Sequence, residues 1–256
     1  MTQREQDRQP HSEVLHTVRA ELRRLEELLS GEGGAEQHVP AWRRPTRGEH
    51  RLPVAVAMAV AVILQLVLPD RLVFHPIWLL PAMEAVLFAV LVAANPVRIV
   101  REHPALRATG LALIGMIGLA NAWSVGELIY GLISARVGEE PGPLLGSGGA
   151  IWLTNVVVFA LCYWEFDRGG PVARAHARRQ WPDFQFVQMD SPHGAPPDWS
   201  PTFLDYLYLS FTNATAFSPT DVMPLSRWAK MAMTAQASVS IVTVVLVVAR
   251  AVNILR

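Results

Sequence analysis

The sequence predicts an all-α integral membrane protein with about five transmembrane helices, a re-entrant pore-like helix and a short amino-terminal helix. Three observations carry this. The 256 residues are 51% hydrophobic and only 17% charged, where a soluble domain carries about 25% charged residues. The charges are unevenly spread, so that long stretches hold almost none, and mean hydropathy is +0.25. Near the carboxyl end, a stretch too polar for a lipid-facing span runs directly into a strongly apolar one.

Residues 1–52 read as a cytoplasmic helix and linker. Within 12–30, Ser12 is a candidate N-cap and 31-GEGG-34 a stop. Leu15, Val18, Leu22, Leu25 and Leu29 alternate by three and four, an a/d seam of two heptads. The same spacing suits an amphipathic helix lying on the membrane surface, and the sequence leaves both open. The polar first 50 residues lack the form of a cleavable signal peptide, so targeting is expected to rest on the first span. Arg43, Arg44, Arg47 and Arg51 end the linker.

Residues 53–147 form an expected three-helix membrane domain, with apolar runs at about 53–73, 76–97 and 106–134. A third region, 148–256, opens with a run at about 148–166 and continues through a polar, Pro-rich loop, 167–200. The semi-apolar stretch 201–218 carries Asp205, Asn213 and several Ser and Thr, which suits a re-entrant helix packed inside protein. The turn 219-PTDVMPLS-226 then leads to a final apolar span at 228–254.

This order of outer helix, polar turret, short helix, turn and inner helix resembles the pore domain of tetrameric potassium-type (pore-loop) cation channels. The resemblance rests on 207-LYLSFTNATAFSPTDVMPLSRWAK-230 and 246-LVVARAVNIL-255 and covers 148–255. The ending also resembles a group of bacterial membrane proteins with the same truncated pore-like hairpin. The channel resemblance implies a pore helix carrying Phe211, Thr212 and Thr215. It implies a filter-like, pore-lining turn of Thr215, Ala216, Phe217, Ser218, Pro219, Thr220 and Asp221, and mouth charges at Arg227 and Lys230. It further implies a homotetramer that passes ions down their gradient. Potassium selectivity is not expected to carry over, because both glycines of a TVGYG filter are missing. Ser and Thr resist the backbone angles that glycine tolerates, and Pro219 fixes one φ and removes a donor. The permeating ion is left open. A non-conducting membrane interaction protein and a transporter using intramembrane carboxylates are the competing readings.

Basic residues near the spans favour a cytoplasmic amino terminus in a multi-pass cell-membrane protein. Arg98, Arg101 and Arg107, and then Arg168, Arg174, Arg178 and Arg179, would join the linker arginines inside, leaving Arg71 and Arg136 opposite. That places 167–200 in the cytoplasm, whereas a potassium-type turret is extracellular. The orientation of the carboxyl-terminal hairpin therefore stays open. Glu84, Asn121, Glu127 and Asn155 are expected as an intramembrane polar cluster, acting as interhelical glue or as a proton or cation site. Trp78, Trp123, Trp152 and Trp164 fall near span ends, as interface anchors do.

Zero net charge and a pI near 7.1 give no reason to expect a nucleic-acid partner. One cysteine, Cys162, sits in an apolar run, and His176, His193, Asp183, Asp190 and Asp198 lack metal-ligand spacing, so neither metal nor cofactor is expected. No nucleophile elbow, P-loop or dinucleotide fingerprint points to an enzyme. The expected partners are the lipid bilayer and copies of the same chain.

Overall fold

Prolines and polar turns cut the apolar runs into helices of unequal length. The computed structural model describes residues 21–24, 39–94, 97–99, 103–134, 140–190, 196–215 and 221–255. The chain divides into two compact units, Met1–Val39 and Pro40–Arg256. In the first, residues 21–24 are helical and Leu22 is exposed. Leu15, Val18, Leu25, Leu29 and the 31–34 glycine stop lie outside the described residues, as do Ala216, Phe217, Ser218, Pro219 and Thr220.

In the second unit, α1 spans Leu52–Val67 and α2 spans Leu79–Ala94. The first is shorter than the apolar run because Leu68 turns extended before Pro69, as the residue preceding a proline tends to do. α3, Pro104–Ile133, starts with proline at its first position, and the His103 ring accepts from the Ala105 amide. α4, Pro141–Phe166, begins well before the expected residue 148, again on a proline. One of its glycines serves packing: a Cβ at Gly148 would lie 2.8 Å from the Val247 side chain, so a glycine there lets α4 and α6 approach closely.

α5, Phe203–Thr215, is followed by α6, Arg227–Ile254. α5 opens with Asp205 reaching back to Thr202, accepting from both its amide (2.7 Å) and its hydroxyl (2.9 Å). Ser226 caps α6 through the Ala229 amide. Between them, Met223–Pro224 (β2) pairs antiparallel with Phe184–Gln185 (β1), Phe184 opposite Pro224. By length and composition, α3, α4 and α6 can cross a membrane, while α1 and α2 are shorter apolar helices. The fold is nearly all-α. α4 is the most enclosed of the long helices, packed by α1, α3, α5 and α6.

Candidate functional site

α5 is held by two polar systems, one along its length and one at its start. Along its length, the centre is Gln236 of α6, fully buried. Its Oε1 accepts from the Tyr163 hydroxyl (2.7 Å) and from Asn213 Nδ2 (2.8 Å). Its Nε2 donates to the hydroxyl (2.6 Å) and carbonyl (2.9 Å) of Ser210. Ser210 in turn donates to the Val156 carbonyl at 2.6 Å, and Asn213 also donates to the Met233 carbonyl at 2.9 Å. Deeper along α4 and α6, Asn155 Nδ2 donates to Ser240 Oγ at 2.9 Å. One face of this short helix is thus pinned by buried hydrogen bonds to α4 and α6, while Leu204, Tyr208 and Phe211 are exposed on it.

At the start of α5 lies a charged knot. The Glu49 carboxylate accepts from Arg174 Nη2 (2.9 Å), Trp164 Nε1 (2.8 Å) and the Phe203 amide (3.1 Å). Arg174 also donates to the carbonyls of Trp164 and Asp167. Burial works against the Arg174 cation, yet Tyr206, Glu49 and Asp167 outweigh it and raise its pKa above the ordinary arginine value. Asp167 accepts from the Tyr206 hydroxyl (2.6 Å) and the Asp183 amide (2.8 Å). Asp183 accepts from Trp228 Nε1 (2.8 Å) and the Arg168 amide (2.9 Å). Arg168, 1% exposed, donates to the Trp42 carbonyl at 2.6 Å from a left-handed backbone (φ 53°). Gly169 and Gly170 follow at φ 85° and 99°, and a Cβ on Gly170 would lie 2.9 Å from the Glu165 carbonyl.

The knot gathers segments distant in sequence. Thr46 N bonds the Ala175 carbonyl, Ile99 N the Glu49 carbonyl, and Leu225 N the Asp183 carbonyl, all within 3.1 Å. Arg98 donates to the Gly48 carbonyl at 2.8 Å. The linker before α1, the segment after α2, the loop after α4 and the start of α6 therefore meet at one end of the bundle.

Of the filter residues, Thr215 and Asp221 are described. Thr215 donates to the Thr212 carbonyl (2.8 Å), and exposed Asp221 accepts from the Tyr208 hydroxyl (3.3 Å). Arg227 and Lys230 are exposed on the first turn of α6, and no ion pair among the described residues joins either to Asp221. Two open spaces flank α5. One, of about 500 Å³, is lined by Asn213, Lys230, Thr234 and Ser238. The other, of about 490 Å³, lies under its carboxyl end against Trp152, Thr215, Ser240 and Val244.

The expected four-residue polar cluster is not joined by hydrogen bonds among the described residues. Glu84 is bonded by Gln65, and Asn155 ties α4 to α6. Asn121 is buried and Glu127 half-buried, each on α3. Trp164 is a buried donor to Glu49, while Trp78 and Trp123 are exposed, as anchors would be. The sequence reading missed Gln236, Glu49 and the roles of Asp167, Arg168 and Arg174. The available signal was 167-DRGG-170, where two adjacent glycines after a charge pair mark a tight, left-handed turn. Compared with protein-family models, curated proteins and solved structures, the chain shows no match.

Proposed function

We propose that the chain is a subunit of a homotetrameric, pore-loop-like ion pathway in the cell membrane. The observation that carries this is where the two described ends of the segment 201–226 lie. α5 starts beside Glu49 in the charged knot, and the chain after it returns to the same knot, where β2 pairs with β1 and Leu225 bonds Asp183. Two ends that meet one loop region support a re-entrant course for the segment, as do the buried partners of the polar face of α5.

On this reading α1, α2, α3, α4 and α6 are the five spans. Each of α1 and α2, at 16 residues, is about 24 Å long. The apolar residues of the 68–78 hairpin, among them Leu72, Val73, Phe74 and Trp78, extend their reach toward the 30 Å hydrocarbon thickness. The knot end carries Arg44, Arg47, Arg98, Arg178 and Arg179, which assigns it to the cytoplasm by the positive-inside rule. The amino terminus is then cytoplasmic, and the pore-like hairpin enters from that side, opposite to a potassium-type pore.

One hairpin cannot enclose a pathway, so conduction needs a closed ring of subunits. Residues 215–221 would face its axis and set a selectivity that is not that of potassium channels. Mass measurement in lipid nanodiscs tests the proposal: four subunits are expected, and a monodisperse monomer would exclude it. The non-conducting reading draws support from the absence of glycine between residues 216 and 220; a tetramer without ion flux would favour it.

A further inference from the structure

The α1–α2 hairpin holds an ionisable group that the pore reading does not use. Glu84, in the second turn of α2, is 0% exposed. Its Oε1 accepts a long hydrogen bond from Gln65 Nε2 of α1, at 3.4 Å. Among the described residues its buried Oε2 has no hydrogen-bond partner and neither ion pair involves it. The titratable groups on surrounding elements are few. α1 has none, α2 has Glu84 alone, and α3, which packs on α2, carries Arg107, Glu127 and Tyr130. The hairpin between α1 and α2 adds Asp70, Arg71 and His75. None is bonded to Glu84.

An ionised carboxylate in apolar surroundings with one amide donor and no cation is far less stable than the neutral acid. The geometry suits a neutral carboxyl better than an ionised one, since it offers one donor and no cation. Its carbonyl oxygen, Oε1, receives the Gln65 N–H, and Oε2 is left to carry the hydrogen. We infer that Glu84 and Gln65 form an intramembrane proton-binding site, in which Glu84 Oε2 takes one proton from water and releases it only when that environment opens. This inference is independent of conduction through residues 215–221.

Infrared spectroscopy of the full chain in dodecyl maltoside micelles, which contain no ester carbonyl, reads the site directly at neutral pH as the wild-type minus Glu84→Gln difference. A protonated carboxyl gives a carbonyl stretch separate from the carboxylate bands. That band is expected in the wild type and lost in Glu84→Gln, which keeps the shape of the side chain. Gln65→Leu leaves the carboxyl in place but removes the donor to Oε1, so the band should persist and move to higher frequency. A wild type without the band, or a band unchanged by Glu84→Gln, overturns the inference.

A hydrophobic carbodiimide supplies a second readout. The carboxyl O–H adds across its N=C bond, and acyl migration gives an N-acylurea that retains the whole reagent mass. One such addition, mapped to Glu84 and insensitive to sodium, is expected. Protection of Glu84 by sodium would show that the site takes a metal cation instead, and would also overturn the assignment.

Discussion

Removing Arg174 should destabilise the protein far more than removing a charge from its surface. The Arg174 side chain is 6% exposed and its partner Glu49 16%. Arg174→Ala strands the Glu49 carboxylate and takes donors from the Trp164 and Asp167 carbonyls. Breaking a buried pair from one side costs about 3–5 kcal/mol. Glu49 keeps two other donors, Trp164 Nε1 and the Phe203 amide, so the lower end applies: about 3 kcal/mol. For a chain of this size that is a fall in melting temperature of roughly 6–12 °C. The assay is thermal unfolding in detergent, followed by tryptophan fluorescence, with Asp190→Ala as the surface control. Asp190 is exposed and bonded only to Gln185 among the described residues, so its loss should stay within about 0.5 kcal/mol. Pairing Arg174→Met with Glu49→Gln should recover part of the single losses, a coupling of about 0.5–3 kcal/mol. Equal losses for Arg174→Ala and Asp190→Ala would refute the claim that the knot holds this end of the bundle together.

Gln236→Leu should cost on the order of 3 kcal/mol, because Tyr163, Ser210 and Asn213 lose a buried partner together; unfolding in detergent reads it, and a neutral outcome would disconnect α5 from that network. Cysteines placed at Pro45 and Gln180, both exposed, should both resist an impermeant external reagent in intact cells. Labelling of one but not the other would contradict the single-ended knot, while labelling of both would invert the whole protein. Asp221→Asn should raise anion relative to cation flux in reconstituted vesicles, since the substitution removes the acid at one mouth. As a mere turn residue Asp221 would tolerate Asn with little effect.

Much of the helical fold was legible because apolar runs and prolines speak locally. The expected run 106–134 lies close to α3, whereas the expected 53–73 ran past Pro69, before which α1 stops. The α4 start was placed too late: the expected run began at 148, whereas the helix begins on Pro141 and carries Gly142, Gly146, Gly148 and Gly149 within it. Asp205 was read as excess polarity, though it reaches back three residues to satisfy the Thr202 amide at the helix start. The charged knot was less accessible. Its members come from the linker, the end of α4, the following loop and α5, and no local period links Glu49 to Arg174 or Asp167 to Tyr206. Arg168 and Arg174 entered the reading as topogenic surface charges, whereas both are buried. Gln236 was hidden for a similar reason: one amide in a long apolar helix carries no pattern until α5 is laid against it.

Ion flux through the purified wild-type protein tests the central claim most directly. Vesicles holding the chain, with potassium, sodium and chloride gradients imposed in turn, should show passive flux above empty vesicles. The flux should change with Pro219→Gly or Thr220→Ala while each variant keeps its wild-type subunit mass and melting temperature. A folded tetramer that passes none of the three ions under any gradient or voltage would contradict the account, and would make the α5–α6 region a packing element.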